Sequence, residues 1–252
     1  MRSLSIVIIT KNEEKNLPRC LESVKWADEI VIVDSGSTDK TLEIAKSYNA
    51  KIFEHEWQGY GNQKIFAITQ ASKDWILNMD ADEVVSPQLA RTIESICKSK
   101  DITTCGYIIY RQTDFLGRWM NHCWGNEYKL RLFKHGTGNF DREIVHEALH
   151  IDGEVRRIHA PLLHYPFPNL DRYFVKFHEY AQLFVKQNFD RKKSGLFKIL
   201  GSPLALFFKM YIRNRGFFDG WQGFLLSILS AYHAGYKYAL LWKAQRQNKR
   251  PA

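Results

Sequence analysis

The sequence predicts an α/β protein with a Rossmann-like, mostly parallel sheet flanked by helices, followed by a C-terminal helical extension that is basic and apolar. Apolar strand-like runs alternate with helical patterns four times before residue 100. Such alternation is typical of parallel sheets, because each helix returns the chain to the edge where the previous strand began. Beyond residue 168 helical periodicity takes over. We therefore expect one domain over residues 1–168 and a helical region over residues 169–252.

Two strand–loop–helix units open the chain. Residues 4–9 form a β-branched run, a polar turn follows, and residues 17–24 carry apolar side chains on one helical face. Residues 29–33 form the second apolar run. The turn at 34–39 contains Gly36, where backbone freedom is needed, together with Ser, Thr and Asp residues that suit a helix N-terminus.

The third and fourth units follow the same order. The third has its strand over residues 51–57 and its helix over residues 63–68. The fourth strand, residues 75–79, ends abruptly at the acidic sequence Asp-Ala-Asp-Glu. A helix is predicted over residues 86–97, because its Ser-Pro start has the form of an N-cap followed by proline at the first helical position.

After residue 100 the alternation stops. Strands are expected over residues 106–110 and 128–133, on either side of an aromatic loop that holds Trp119 and Trp124. Aromatic faces suit stacking on sugar rings or bases, although tryptophans in a loop more often serve packing. Residues 169–189 have apolar side chains at helical spacing, so we expect an amphipathic helix there.

The C-terminal region carries the positive charge of the chain. Of the net charge of +9, residues 1–190 contribute −2, whereas the residues from Arg191 onward contribute +11, with 12 Lys and Arg against the single acid Asp219. Residues 220–236 contain no charged side chain, but this stretch falls short of the roughly 20 residues that a spanning helix needs. We expect the region to lie in a membrane interface, attracted to anionic lipid. The alternative is a helical pair packed on the domain, with solvated lysines. Nucleic-acid binding is disfavoured, because no nucleic-acid module is recognisable.

The composition disfavours several classes of protein. Four widely spaced cysteines without a Cys-x-x-Cys pair indicate neither a thiolate zinc site nor a disulfide framework, and they favour the reducing cytoplasm. The N-terminus runs directly into a strand, without a secretory signal. No Gly-x-Gly-x-x-Gly follows the first strand and no Walker sequence occurs, which disfavours dehydrogenases and P-loop NTPases.

Three acids at strand ends predict the functional site. Asp80 and Asp82 are separated only by Ala81, so a turn could bring both carboxylates to one divalent cation that holds a diphosphate. Asp34 ends the second strand in the same way, and open α/β sheets bind their ligands at the carboxyl ends of the strands. Such acids also occur as helix caps or in solvated turns, which is the alternative for the pair taken alone.

Four motifs together resemble glycosyltransferase family 2, whose members have the GT-A fold. They are Thr-x-Asn-Glu at residues 10–13, Val-Asp-Ser-Gly-Ser-Thr-Asp at 33–39, Asn-Gln-Lys at 62–64 and Asp-Ala-Asp at 80–82. The resemblance covers residues 3–165. Arg-Leu-Phe at 131–133, Val-His-Glu at 145–147 and the basic, aromatic tail resemble those members that add glucose to the inner-core heptose of lipopolysaccharide.

The resemblance implies roles on the nucleotide side of the site. Asp34 would accept a hydrogen bond from the N3–H of a uracil ring. Thr10, Asn12 and Glu13 would line the nucleoside, and Lys64 would face the nucleotide. For Lys64, a solvated helix lysine is the alternative interpretation.

The resemblance also implies a metal site, and the chemistry requires a base. Asp80 would lie toward the ribose and the metal, and Asp82 would bind Mg²⁺ or Mn²⁺ directly, neutralising charge as the nucleoside diphosphate leaves. His164 would complete the metal shell, unless it is a hydrogen-bonded core histidine. An inverting transfer needs one base to deprotonate the acceptor hydroxyl; Glu147 is the candidate and Asp141 is the reserve. A loop carboxylate that is only solvated is the alternative interpretation of Glu147.

The predicted function is inverting transfer of a hexose, glucose from UDP-glucose in the first instance, to a lipopolysaccharide inner-core heptose. The enzyme would be cytoplasmic and peripheral on the inner face of the cytoplasmic membrane. Its partners would be the UDP-sugar, the glycolipid and the anionic membrane surface, without nucleic acid. The alternatives are another UDP-sugar transferase that acts on a different membrane glycolipid or polysaccharide, a nucleotidyltransferase, and a non-catalytic nucleotide-binding module. A nucleotidyltransferase would carry a Gly-rich, basic loop where residues 10–13 stand.

Overall fold

The computed structural model describes residues 2–124, 127–140, 149–167 and 169–247 of the chain. The strands in these ranges are β1 (Leu4–Thr10), β2 (Glu29–Asp34), β3 (Lys51–Glu54), β4 (Trp75–Asp80), β5 (Glu83–Val85), β6 (Thr104–Phe115), β7 (Arg118–Met120), β8 (Glu127–Lys134), β9 (Gly138–Phe140), β10 (Leu149–Ile151) and β11 (Glu154–His164). The helices are α1 (Leu17–Glu22), α2 (Thr41–Ser47), α3 (Tyr60–Thr69), α4 (Pro87–Lys98), α5 (Leu170–Asn188), α6 (Leu196–Phe207) and α7 (Gly220–Arg246). Between α6 and α7 lie a π-helical turn (Phe208–Arg213) and a 3₁₀ turn (Gly216–Asp219).

The main sheet combines a parallel half with an antiparallel half. Its strand order is β3-β2-β1-β4-β8-β6-β11-β5, with β7 paired to β6. β1 pairs in parallel with β2 and β4, and β2 pairs in parallel with β3. β8 pairs antiparallel with β4 and β6, and β11 pairs antiparallel with β5. The parallel half consists of the first four strands, as the strand–helix alternation predicts.

The parallel strands are buried on both faces of the sheet. In β1, Ile6 and Ile8 belong to one apolar cluster, together with Leu77 of β4, whereas Val7 and Ile9 belong to a second cluster. Helices α1, α2 and α4 contribute to the first cluster and α3 to the second. Because both faces are covered, every residue of β1 and β2 is buried, which is why these strands are continuous apolar runs in the sequence.

Most predicted elements are confirmed, with shifted ends. α4 begins at Pro87 after Ser86, whose Oγ accepts a hydrogen bond from the backbone N–H of Leu89 at 3.2 Å. The third strand ends at Glu54 rather than at residue 57, because its neighbour β2 ends at the paired residue Asp34 and offers no partner beyond it. The aromatic loop contains a strand that the sequence does not predict, β7, which pairs with the end of β6.

The chain divides into two compact units. One comprises Met1–Arg111 and Glu127–His164, and the other comprises Gln112–Asn126 and Tyr165–Ala252. The second unit thus includes β7 and the end of β6 in addition to the C-terminal helices. The division into a domain over residues 1–168 and a helical region over residues 169–252 stays a prediction.

The second unit has an apolar core of its own. Tyr173 and Phe177 of α5 pack there with Phe115, Met210 and Leu226. The amphipathic helix predicted over residues 169–189 is therefore confirmed as α5. Of the helices in the described ranges, none combines the length and the apolarity needed to cross a bilayer.

Candidate functional site

The predicted acids gather at one edge of the parallel half-sheet. Thr10 of β1 lies in register with Asp34 of β2, and Ile9 of β1 lies in register with Asp80 of β4. Asp34 and Asp80 therefore flank the end of β1, with two strand spacings, about 10 Å, between their backbones. This is the edge at which open α/β sheets bind their ligands.

Asp34 organises the turn that follows β2. Its buried carboxylate accepts hydrogen bonds from Thr10 Oγ1 at 2.9 Å, from the backbone N–H groups of Gly36 and Ser37 at 2.9 and 2.7 Å, and from Ser37 Oγ at 2.5 Å. Gly36 has a φ of +83°, the left-handed conformation that favours glycine. Four donors match the acceptor capacity of one carboxylate, so a uracil N3–H could reach Asp34 only by displacing one of them. Direct recognition of the base by Asp34 stays a prediction.

Asn12 and Glu13 tie the loop after β1 to the loop after β2. Asn12, which is exposed, accepts a hydrogen bond through Oδ1 from the backbone N–H of Thr38 at 2.8 Å. Glu13 donates its own backbone N–H to Thr41 Oγ1 at 2.8 Å. These two residues thus share one loop assembly with Asp34, and their nucleoside-lining role stays a prediction.

Asp80 lies between two cations. Its Oδ1 is 3.1 Å from Lys64 Nζ, and its Oδ2 is 2.5 Å from Arg131 Nη2. Lys64 is only 4% exposed, so it is a buried partner of Asp80 and not a solvated helix lysine. Burial opposes ionisation of Asp80, but the charges of Arg131 and Lys64 outweigh it and hold the pKa of this carboxyl well below its usual range. Asp80 is therefore a doubly paired anion at neutral pH.

The ion pairs continue through residues to which the sequence analysis gave no role. Arg131 Nη2 also lies 2.6 Å from Glu83 Oε1, and Arg111 Nη1 lies 3.3 Å from the same oxygen. Arg111 in turn pairs with Glu127 at 2.5 Å. Glu83 ends the acidic stretch and Arg131 begins the Arg-Leu-Phe motif, so both residues belong to motifs that the sequence shows. The sequence does not predict the ion pair between them, because that contact depends on β8 lying between β4 and β6.

Asp82 and His164 form a second pair beside this network. Asp82 lies between β4 and β5, and β11 pairs with β5 so that His164 stands opposite Glu83. His164 Nε2 is 3.6 Å from Asp82 Oδ1, and both side chains are largely buried. Burial lowers the pKa of His164, although the charge of Asp82 opposes this, so the imidazole is neutral at neutral pH. The neutral imidazole is the form that binds a metal.

The pair of Asp82 and His164 fits a single divalent cation. Two ligand atoms that each lie about 2.1 Å from one cation are about 3–3.4 Å apart, so the observed 3.6 Å needs only a small adjustment. Within the described ranges, no group of three His, Cys, Asp or Glu residues is placed to hold a metal. Mg²⁺ in proteins usually completes its coordination shell with phosphate oxygens and water.

The two candidate bases cannot be placed in this geometry. Glu147 and Asp141 both lie outside the described residues. The other predicted site residues all belong to the first unit, at the ends of its strands, in the loops that follow them or on α3: Thr10, Asn12, Glu13, Asp34, Lys64, Asp80, Asp82 and His164.

A family model matches the part of the chain that carries most of these residues. The model for glycosyl transferase family 2 matches residues 5–151, more than half of the chain. This protein is a family 2 glycosyltransferase. The matched region contains the Asp34 turn, the Asp80 ion pairs and Asp82, whereas His164 lies beyond its end.

Similar proteins bear out the resemblance to lipopolysaccharide core transferases. The transferase is 31% identical over 257 residues to the lipopolysaccharide core biosynthesis glycosyltransferase LpsC of Rhizobium meliloti (strain 1021), an alignment covering 98% of this chain and 95% of that protein. It is 32% identical over 254 residues to the uncharacterized glycosyltransferase RT0209 of Rickettsia typhi, covering 92% of this chain and 84% of that one.

Solved structures confirm the predicted GT-A fold. The transferase is similar to TarS 1-349 of S. aureus in complex with UDP-GlcNAc, with a TM-score of 0.52 and 14% sequence identity. The alignment covers 98% of this chain and 92% of the TarS chain. At this identity the likeness concerns the fold alone.

Proposed function

We propose that this transferase moves a hexose from a UDP-sugar, with inversion, onto the inner-core heptose of lipopolysaccharide, and that UDP-glucose is the donor. The placement of Asp34 and Asp80 on either side of the end of β1 is the observation that carries the proposal. A nucleoside can lie along the loops beside Asp34 while its diphosphate reaches the charged cluster beside Asp80. The 31% identity to LpsC supports lipopolysaccharide core as the acceptor.

On the donor side, the loops that Asp34 and Asn12 hold together would bind the nucleoside. Hydrogen bonds to the side chains of Asp34 and Asn12 hold both loops in shape, and such preorganisation lowers the entropy cost of binding. Lys64, buried against Asp80, would place positive charge beside the nucleotide. A direct hydrogen bond from uracil N3–H to Asp34 would have to replace one of the four present donors.

Asp82 and His164 would hold Mg²⁺ or Mn²⁺. Bound there, the cation would neutralise negative charge on the departing nucleoside diphosphate. Both oxygens of Asp80 already contact cations, Lys64 and Arg131. We therefore assign the direct metal contact to Asp82 and place Asp80 toward the ribose.

Glu147 would take the proton from the attacking acceptor hydroxyl, with Asp141 as the reserve. Attack from the face opposite the diphosphate inverts the anomeric centre, and one positioned carboxylate is sufficient as base. Separate Glu147→Gln and Asp141→Asn variants would decide between the two. Replacing the base should abolish transfer and leave UDP binding unchanged, as measured by calorimetry.

The site of action would be the inner face of the cytoplasmic membrane. The proposed acceptor is a glycolipid, and the C-terminal region combines apolar surface with an excess of Lys and Arg. An amphipathic, cationic region of this kind binds anionic lipid surfaces. The enzyme would thus meet a soluble donor and a membrane-bound acceptor at one surface.

A donor panel tests the proposal. Purified enzyme with Mn²⁺ would be given UDP-glucose, UDP-galactose or UDP-GlcNAc and lipopolysaccharide truncated at the inner core, and the product would be analysed by mass spectrometry and NMR. We expect one hexose to be added from UDP-glucose, with inverted configuration. Asp82→Asn should abolish this transfer, whereas Asp152→Asn, an exposed turn carboxylate, should leave it intact.

Other outcomes would contradict the proposal in distinct ways. Transfer from a different donor, or only to another glycolipid or polysaccharide, would favour a different UDP-sugar transferase. UDP binding without transfer to any acceptor would favour a non-catalytic nucleotide-binding module. Full activity of Asp82→Asn would remove the metal role assigned to that carboxylate.

A further inference from the structure

Helix α6 in the second unit presents an apolar stripe to solvent. The helix has no buried residue. Phe197, Leu200 and Leu204 are 96%, 65% and 62% exposed, and their spacing of three and four residues places them on one side of the helix. Phe208 and Ile212 continue the series through the π-helical turn and are also more than half exposed.

Helix α7 carries a second apolar stripe. Trp221, Phe224, Ile228 and Tyr232 recur every three or four residues, and each is at least 41% exposed. We call the two stripes together the apolar face, which consists of Phe197, Leu200, Leu204, Phe208, Ile212, Trp221, Phe224, Ile228 and Tyr232.

Aromatic contacts join the two stripes into one surface. The ring of Phe207 lies beside those of Phe208, Tyr211 and Phe224, with centroid separations of 6.0, 5.4 and 6.1 Å. Tyr211 also contacts Phe224, at 5.4 Å. Because Phe208 belongs to the first stripe and Phe224 to the second, the apolar face is continuous between α6 and α7.

Apart from Tyr232, whose ring stacks on that of Phe177, the apolar face lies outside the core cluster of the second unit. The core of that unit consists of other side chains, including Tyr173, Phe177, Met210 and Leu226, all of which are buried. Contiguous exposed apolar surface of this extent usually marks a site of interaction with a protein or a membrane. The charge around the face indicates which of the two it is.

Basic residues accompany the apolar face along the chain. Residues 191–218 contain seven Lys and Arg and no acid. All seven are exposed: Arg191, Lys192, Lys193, Lys198, Lys209, Arg213 and Arg215. Asp219, the next acid in the chain, is buried and accepts hydrogen bonds from the backbone N–H groups of residues 121–123, so it does not offset this surface charge.

We propose that the apolar face inserts into the interfacial region of an anionic phospholipid bilayer, with exposed basic side chains of the same segment, such as Lys209 and Arg213, binding the lipid phosphates. Exposed apolar and aromatic side chains together with cations in the same segment are typical of interfacial membrane helices. A second copy of this chain is the competing occupant, but face-to-face association would bring two groups of seven cations together. The inference rests on the proposed function only in so far as a glycolipid acceptor requires a membrane.

Vesicle co-sedimentation tests the apolar part of the proposal. The wild-type enzyme should bind vesicles of phosphatidylglycerol and phosphatidylcholine in equal parts, and bind phosphatidylcholine alone more weakly. A combined Phe197→Ser, Leu200→Ser and Leu204→Ser variant should lose roughly 100-fold or more in binding, since three apolar side chains no longer leave water. Ile102→Ser is the matched control, because Ile102 is 76% exposed in the first unit.

A second pair of variants tests the charge. Lys209→Gln combined with Arg213→Gln should weaken binding to the anionic vesicles roughly 30-fold, the effect of about 1 kcal/mol per charge. Binding to phosphatidylcholine alone should not change. Lys46→Gln combined with Lys100→Gln removes two exposed lysines of the first unit and should have no comparable effect.

Several results would overturn this inference and leave the proposed transfer reaction standing. The first is that the wild type does not bind anionic vesicles, and the second is that the triple variant binds them as tightly as the wild type does. The third is that sedimentation velocity shows the wild type as a dimer and the triple variant as a monomer. Transfer to lipid-free core oligosaccharide separates the two proposals. The triple variant should retain that transfer, whereas a wild-type enzyme that binds vesicles but lacks this transfer would contradict only the proposed function.

Discussion

Arg131 donates a hydrogen bond to Asp80 at 2.5 Å from a side chain that is only 7% exposed. The same nitrogen lies 2.6 Å from Glu83, so one guanidinium orients two acids of the Asp-Ala-Asp-Glu stretch. Asp80 is thus held by a residue of β8, which the chain reaches some fifty residues later. The position of the carboxylate that we place toward the ribose depends on this contact.

Replacing Arg131 should destabilise the protein strongly. Arg131→Gln leaves Asp80 and Glu83 partly uncompensated in a buried setting, which costs about 3–5 kcal/mol. Urea unfolding would measure the loss. Lys129→Gln is the control on the same strand, because its ion pair with Glu127 is half exposed and should contribute no more than about 1 kcal/mol. Equal losses for the two variants would contradict the importance given to Arg131.

Replacing Asp34 should destabilise the loops that follow β1 and β2, which we propose bind the nucleoside. In Asp34→Asn an amide N–H₂ would face donors from Thr10, Gly36 or Ser37, which costs about 2–3 kcal/mol in the free energy of unfolding. UDP affinity, measured by calorimetry, should fall in parallel because the loop loses its shape. Asp152→Asn, in an exposed turn, should change neither quantity. Unaltered stability would mean that the four hydrogen bonds of Asp34 matter less than their geometry indicates.

Glu29 should make stability sensitive to acid. Burial opposes its ionisation, but hydrogen bonds from Lys51, Ser5 and Ser72 lower the pKa of Glu29 from 4.5 to about 2. Because the folded-state pKa is the lower one, the stabilisation is complete above pH 4.5 and is lost as the pH falls from there toward 2. Glu29→Gln should therefore cost roughly 3 kcal/mol at neutral pH and about half of that at pH 3. Unfolding in urea at both pH values checks this, and a cost independent of pH would refute it.

Two glycines of the second unit should respond in opposite directions to alanine. A Cβ at Gly223 of α7 would lie 2.1 Å from the carbonyl oxygen of Gly216, so Gly223→Ala must push the 3₁₀ turn away and should cost about 3 kcal/mol. A Cβ at Gly201 of α6 would meet nothing within 4 Å. Gly201→Ala should therefore stabilise the helix by about 1 kcal/mol. Thermal unfolding would show the two shifts, and shifts of the same sign would disprove the close approach at Gly223.

Two buried amides should also differ. Asn78 of β4 is fully buried, and neither its Nδ2 nor its Oδ1 has a hydrogen-bond partner among the described residues. Asn78→Leu should be neutral or stabilising by about 1 kcal/mol, because an unpaired amide leaves the core. Gln63→Leu should instead cost about 2–3 kcal/mol, since Gln63 bonds to Ser35 Oγ and to the carbonyl oxygen of His55. Equal costs would show that Asn78 has a partner, such as a bound water.

The parallel half of the fold was predictable because its signals are local. A strand buried on both faces is a continuous apolar run, and β1, β2 and β4 are runs of this kind. The start of α4 was equally plain, since Ser86 and Pro87 each act on the backbone within one turn. β7 and the early end of β3 were missed, because both depend on where a neighbouring strand begins or ends.

The site was predictable only in part, for the same reason. Asp34, Asp80 and Asp82 were recognised because acids directly after buried strands meet at one edge of a parallel sheet. The burial of Lys64 against Asp80 was not, since a lysine on a helix has the same local sequence whether it is solvated or buried. Glu83, Arg111 and Glu127 come from three strands that pair out of chain order, and no local pattern shows that they share a network.

The amino-acid sequence alone thus determined the strand–helix alternation, the edge of the sheet where the acids lie and the family to which the chain belongs. Each of these follows from short patterns of residues that are close together in the chain. Only the tertiary structure decided that Asp80 forms ion pairs with Lys64 and Arg131, and that Asp82 lies next to His164. It also decided that the stripes of α6 and α7 form one exposed face. These contacts join residues far apart in the chain, and strand order and helix packing, which bring them together, are properties of the whole fold.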